Sequence, residues 1–149
     1  MEYEVKYLRL QDIEHSAKLF TAHYAEVAKN KDLMVLSPDW ERYAYIEQSG
    51  KLLVLGAYVD GELVGYSVNF VDHHLHYSGL KVCSNDLLFV HPDFRQSPLG
   101  LRLMKDTKRH ARFYGCALML WHAKEGSALD QLLQRKRLPV QDIIYADKL

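Results

Sequence analysis

Residues 86–115, DLLFVHPDFRQSPLGLRLMKDTKRHARFYG, hold the pattern best able to do chemistry. An apolar run ends at His91-Pro92, a polar loop follows, and helix-forming sequence starts near Pro98 or Leu99. The first amides of a helix have no partner inside it and stand at the positive end of its dipole, so they face any anion held in the loop. Gly100 removes a side chain where a ligand must approach the backbone. Arg95 and Arg102 bracket it with positive charge, and Gln96, Ser97, Leu99 and Leu101 complete the loop. Such a cradle suits an anion, and a pyrophosphate best.

Other clusters are weaker candidates. Asp72, His74 and His76 alternate onto one strand face, but they sit at a hairpin end, and a metal needs three or four converging ligands; no metal is expected. Lys105, Lys108, Arg109 and Arg112 form a basic stripe that reads either as a solvated helix face or as a contact for phosphate. Cys83 and Cys116 are too few for a disulfide scaffold and read as small core residues. The apolar run at residues 33–36, Leu-Met-Val-Leu, is expected to fold back onto the body of the protein and leaves a homodimer contact open.

Elements must position these groups. The chain has 149 residues, 48% hydrophobic and 26% charged, with 19 basic against 19 acidic side chains. That is one globular domain, residues 1–149, able to bury about 70% of its unfolded surface. A net charge of zero argues against nucleic acid or an anionic membrane as partner. No apolar run reaches the roughly 18 residues of a membrane helix, and the start MEYEVKYLRL lacks a signal-peptide layout. The expectation is a soluble, cytoplasmic domain.

Residues 4–10 begin with alternation and read as an edge strand. Asp12 is placed to cap a helix whose apolar stripe is Ile13, Ala17, Phe20, Tyr24 and Val27. Ser37-Pro38 starts a second helix that Gly50 closes. Residues 52–59 and a returning strand with Val64, Tyr66, Val68 and Phe70 on one face flank an Asp60-Gly61 turn. A third strand covers residues 80–90. Leu99, Leu103, Thr107, Ala111 and Tyr114 mark a helix, residues 117–121 a short, fully apolar strand, and Leu129, Leu132 and Leu133 a short helix. Residues 140–146 read as a last strand. The order β-α-α-β-β-β-α-β-α-β predicts an α/β (α+β) fold. Its mixed central sheet has an antiparallel meander, a parallel crossover pair and helices on both faces.

The stretch V-H-P-D-F-R followed by Q-S-P-L-G-L-R-L resembles the signature of the GNAT family of N-acetyltransferases. That family's phosphate loop, R/Q-x-x-G-x-G/A, follows a strand ending V-x-P-x-x-R. Arg95, Leu99 and Gly100 fall on its Arg, its middle position and its last Gly. The element order is similar over nearly the whole chain. Pro98 stands where the first Gly would, removing one amide donor. Leu133 stands where the family's helix usually carries a Tyr proton donor, and Gly126 where it carries an Asn.

The resemblance implies direct transfer of an acetyl group from acetyl-CoA to a primary amine, whether small molecule, peptide or protein lysine. A lysine-like amine, with a pKa of about 10.4, must lose a proton before it attacks. The thioester carbonyl needs amide donors where negative charge develops; Leu88, Phe89 and Val90 match the bulged strand that supplies one in relatives. Asp86, expected on the strand face of Leu88 and Val90, would relay the proton. His122, at the end of the neighbouring strand, would face it across a gap. The departures at Pro98 and Leu133 motivate an alternative, a non-catalytic module of the same fold that binds CoA or a protein partner.

Overall fold

The computed structural model describes residues 1–149. Five strands, β1 (Tyr3–Tyr7), β2 (Leu52–Val59), β3 (Glu62–His73), β4 (Lys81–Val90) and β5 (Leu118–Trp121), form one mixed sheet in the order β1-β2-β3-β4-β5. The first three pairings are antiparallel and β4–β5 is parallel. Helices α1 (Leu10–Glu14), α2 (Ala17–Val27) and α3 (Trp40–Gln48) lie between β1 and β2 in sequence. Helix α4 (Leu99–Phe113) makes the crossover, and α5 (Ala128–Arg135) follows β5.

Both faces are covered, as the element pattern requires. Leu10, Ile13, Leu19 and Phe20 from the first helices pack on Leu52, Val54, Tyr66, Val68 and Phe89. On the other face Leu99 and Leu103 of α4 meet Leu55, Ala57, Val64 and Val90. Ala111 meets Leu53, Val71 and Cys83. Each such Leu, fully removed from water, contributes about 1.5–3 kcal/mol. The predicted stripe of α4 holds for Leu99, Leu103, Thr107 and Ala111, all buried, while Tyr114 falls at the C-cap and is half-buried.

The hairpin between β2 and β3 turns at Asp60 and Gly61, with φ of 49° and 82°. Two central residues of positive φ give the turn whose twist matches its strands. A bulge opposite Ala57/Tyr58 then divides the face expected for β3. Val64 joins the α4 side, whereas Tyr66 and Val68 join the α1–α3 side. An extra residue shifts the pleat by one and flips everything beyond it.

Other boundaries also differ. The first helix begins at Leu10, not after Asp12, because the Asp12 carboxylate accepts from the Arg9 N–H at 3.1 Å from inside the first turn. It breaks at residues 15–16 before α2 resumes. Helix α3 begins two residues later than Pro38, with Asp39 accepting from the Arg42 N–H at 2.9 Å. Strand β5, apolar throughout as expected, is the sheet's half-exposed edge and starts at Leu118. The expected strand at 140–146 is not formed, since nothing pairs with that segment and its large side chains are exposed. No helix is long and apolar enough to cross a membrane.

Candidate active site

The site grows out of a second bulge, in β4. The register passes from Asn69↔Asn85 to Val68↔Leu87, so Asp86 is the residue with no opposite number. A bulge leaves backbone groups to be satisfied locally. The buried Asn85 amide does this, donating to the Leu87 carbonyl at 3.0 Å and to Asn69 Oδ1 at 2.9 Å. Asn69 in turn donates to the Leu53 carbonyl at 3.0 Å. Thr107 of α4 closes the network through Ser67 at 3.0 Å. Four fully buried polar residues inside apolar strands and helix thus hold one backbone irregularity in place.

The bulge decides where Asp86 points. Asn85 faces α4, Leu88 and Val90 also pack on that side, and Leu87 and Phe89 pack towards α1–α3. Asp86 faces α3, accepting from the Tyr43 hydroxyl at 2.5 Å. The expectation that it shares a face with Leu88 and Val90 is therefore wrong, and the extra residue is the reason. Burial, and next the bond to Asp86, raises the Tyr43 hydroxyl well above its ordinary value, so it is a standing donor to the carboxylate. Asp86 and Tyr43, with Asp39, Arg42, Ile46 and Phe70, line a cavity of about 470 Å³.

Beyond the bulge the sheet opens. Strand β5 pairs with β4 only from Val82↔Leu118 to Asn85↔Trp121. The His91 N–H donates to the Val64 carbonyl at 2.8 Å. Alternate residues of β4 therefore bond back to β3, while Leu88 and Val90 turn their N–H groups to the unpaired edge. His122 follows the last paired residue of β5, exposed and on the far side of this opening. Phe89 points into the α1–α3 core and offers no amide to the edge.

At the end of β4, residues 92–98 make a short turn into α4. Ser97 Oγ accepts from the Leu99 N–H at 3.3 Å, and Arg102 N–H is the first to bond within the helix, to Pro98. The amides of Gly100 and Leu101 have no partner within the chain. A Cβ on Gly100 would meet nothing within 4 Å, so the approach to these donors is open. Gln96 is exposed beside them. The two arginines do not bracket this spot. Arg95 donates from Nε to the Val90 carbonyl at 2.8 Å and from both terminal nitrogens to Glu26, at 2.7 and 2.5 Å. Arg102 donates to the Tyr3 carbonyl at 3.0 Å. Both guanidiniums already have partners supplied by elements distant in sequence.

Glu26 belongs to a group that periodicity alone does not reveal. His23 lies one turn before it on α2, stacks on Phe89 at 4.7 Å and bonds through Nδ1 to the Tyr66 hydroxyl at 2.9 Å. The Arg95 guanidinium stands 5.4 Å from the same Phe89 ring. Helix α2 thereby grips the end of β4 with two residues an i,i+3 step apart. Burial pushes the His23 pKa down to about 4, and the bond from Arg95 holds the Glu26 carboxyl below its ordinary range. The one available sequence signal was a His and a Glu sharing a helix face.

The remaining candidates fall elsewhere. Asp72 pairs with Lys51 at 2.8 Å, and no three His, Cys, Asp or Glu side chains converge as metal ligands. The stripe of Lys105, Lys108, Arg109 and Arg112 is exposed, with Arg109 reaching Asp106 at 3.4 Å. Cys83 and Cys116 are free, and burial raises the Cys83 thiol to about 12. Residues 33–36 do not fold back as expected; all four side chains are exposed. Leu133, half-buried on α5, has no proton to give.

The geometry has counterparts among known proteins. The chain resembles the solved structure of ribosomal-protein-alanine N-acetyltransferase from Brucella melitensis biovar Abortus 2308, with TM-score 0.73 and 20% identity over 98% of this chain and 99% of that one. It resembles AAC(6')-Iy in complex with the bisubstrate analogue CoA-S-monomethyl-acetylneamine, with TM-score 0.70 and 20% identity over 100% and 99%. Glucosamine-6-phosphate N-acetyltransferase from Arabidopsis thaliana gives TM-score 0.71 and 12% identity over 99% of each chain. At such identities the likeness shows the fold. No curated protein sequence matches. The family described as acetyltransferase (GNAT) matches residues 13–135, a span from the first helix through α5 that takes in the bulge, the opened edge and the loop. With that match over most of its length, the chain belongs to the acetyltransferase (GNAT) family of N-acetyltransferases.

Proposed function

We propose that the protein transfers the acetyl group of acetyl-CoA directly to a primary amine. The observation that carries the reading is the unpaired edge of β4, where the N–H groups of Leu88 and Val90 face an opening headed by the bulged Asp86. Amides held in a strand are preorganised donors for a carbonyl oxygen that gains charge, and they need no rearrangement during reaction. The free amides of Gly100 and Leu101, at the positive end of α4, suit the pyrophosphate of CoA.

The amine acceptor enters from the cavity lined by Asp39, Tyr43, Phe70 and Asp86. Two carboxylates against the single guanidinium of Arg42 leave this lining acidic on balance, which favours an ammonium, and the aromatic walls of Tyr43 and Phe70, with ring centroids 6.1 Å apart, carry its apolar part. Asp86, directly or through water, takes the proton the amine must lose. The amine nitrogen then forms its bond to the acyl carbon as the carbon–sulfur bond breaks. The departing thiolate, ordinary pKa about 8.5, is protonated by solvent or by His122. No covalent intermediate on the protein is needed.

Calorimetry with acetyl-CoA, followed by labelled acetyl-CoA and a panel of small amines, peptide N-termini and lysine peptides, tests this. Saturable binding and an acetylated amine are expected. Binding without any acetylated product would instead favour a module that only holds CoA. Absence of CoA binding would overturn the proposal.

A further inference from the structure

Leu103, Thr107, His110 and Tyr114 succeed one another on α4 at steps of four, three and four, which is one stripe of a helix. The first two are fully buried against the sheet. The last two are only half-buried, because β1 ends at Tyr7 and the chain then leaves the sheet for α1. The core-facing stripe thus runs on past the strand that covers it. A cavity of about 470 Å³ lies there, lined by Tyr7, Arg109, His110, Phe113 and Tyr114. Sites for small molecules usually measure about 300–1,000 Å³.

The sheet separates this cavity from the acceptor side. Tyr7 follows Tyr3 and Val5 on the α4 face of β1, whereas Asp86 faces α3. Along α4, His110 stands about 15 Å from Gly100 at 1.5 Å per residue, so the start of the helix is remote as well.

The lining defines what fits. The Tyr7 and His110 rings, with centroids 6.5 Å apart and 28° between their planes, offer flat apolar surface. Phe113 adds to it, 88% exposed and edge-on to Tyr114 at 6.3 Å. The polar groups can all donate. The Tyr7 and Tyr114 hydroxyls and the His110 ring have no hydrogen-bond partner within the chain, and Arg109 has only Asp106, at 3.4 Å. Burial, and next the Tyr114 hydroxyl, holds the Tyr7 hydroxyl above its ordinary value, so it keeps its proton. No carboxylate lines the cavity. Glu47, whose charge reaches Tyr7, accepts from the Leu10 N–H at 2.7 Å. The negative end of α4 is blunted too, since the carbonyls of His110, Ala111 and Arg112 accept from the N–H groups of Tyr114, Cys116 and Gly115.

We propose that this cleft between β1 and the last turns of α4 is a second ligand site, for a small planar aromatic anion such as an aryl carboxylate or aryl phosphate. The ring of the ligand lies against Tyr7, His110 and Phe113, and its charged group meets Arg109 and the tyrosine hydroxyls. The cavity at Asp86, acidic on balance, selects the opposite charge.

Amide chemical shifts of the labelled protein, titrated with naphthoate, naphthyl phosphate and neutral naphthylmethanol in the presence and absence of acetyl-CoA, test the assignment. Saturable shifts are expected at Tyr7 and residues 109–115 with an anion, the same with and without acetyl-CoA. The neutral compound should bind about tenfold more weakly, the usual worth of a hydrogen bond to a charged group. Arg109→Gln and Phe113→Ala, both at exposed positions, should each weaken the anion about tenfold and leave distant shifts native. No saturable shift with either anion at millimolar concentration overturns the proposal, as do shifts centred on Gly100 or Asp86. Equal affinity for the neutral compound, or anion binding unchanged in both variants, overturns it as well.

Discussion

Lowering the pH from 7 to 5 should cost the protein about 2 kcal/mol of stability through His23 alone. The ring is held neutral between Phe89 and Tyr66, with a pKa of about 4 against 6.5 for an exposed imidazole. Because the folded value is the depressed one, the unfolded chain binds more protons between those two values, and stability rises with pH through the window. It is complete above 6.5 and lost progressively as pH falls towards 4. At one pKa unit per 1.36 kcal/mol the full loss is about 3 kcal/mol, of which roughly two thirds has been incurred by pH 5. Glu26 also favours the folded state when ionised, but its contribution is lost only below the ordinary carboxylate range, so the pH 7 to 5 interval isolates the histidine. Urea unfolding of the parent and of His23→Gln at both pH values measures the effect. The glutamine retains an acceptor for Tyr66 and cannot titrate. The parent should lose about 2 kcal/mol more than the variant between pH 7 and 5. Equal losses would show that His23 is solvated or already charged in the folded state, and the grip of α2 on Phe89 would have to be redrawn.

Gly100→Glu should abolish binding of CoA, because it sets a carboxylate beside the free amides of the α4 start; circular dichroism should stay native, since a side chain there meets nothing within 4 Å. Asp86→Asn should lower turnover by a factor of about 10²–10⁴ with acetyl-CoA binding intact, the usual cost of a lost general base. Raising the pH towards the amine's own pKa should restore part of it, and turnover equal to the parent's at every pH would make Asp86 structural. Tyr43→Phe, which removes the 2.5 Å bond to Asp86, should reduce turnover less than Asp86→Asn does, and His122→Gln less still; pH–rate profiles of the three variants check the order. Gly65→Ala should destabilise the fold by about 1–3 kcal/mol in denaturant unfolding, because the new methyl would stand 2.6 Å from the Phe89 carbonyl in the adjacent strand.

Much of this protein follows from local pattern. A continuous apolar run and the Asp60-Gly61 pair place β2 and the hairpin, since both depend only on local composition and on residues that tolerate positive φ. The three-to-four spacing of Leu99, Leu103, Thr107 and Ala111 places α4, and the long crossover makes β4 and β5 parallel. The loop before α4, with Gly100 and its unpaired amides, is likewise visible as a strand running into a helix start. Family membership follows from these features together.

What local pattern does not contain is the count of residues across a strand pair. One extra residue in β4 turns Asp86 from the side of Leu88 to that of Tyr43, and only the pairing with β3 reveals it. Arg95 is positive in any reading, but its partner Glu26 lies 69 positions away, so its withdrawal from the loop is a tertiary fact. His23 looks like any helix-face histidine until Phe89 and Tyr66 close around it and burial removes its charge. Residues 140–146 show the converse. Their composition is that of a strand, but a strand exists only when another edge supplies its hydrogen bonds, and within one chain none does.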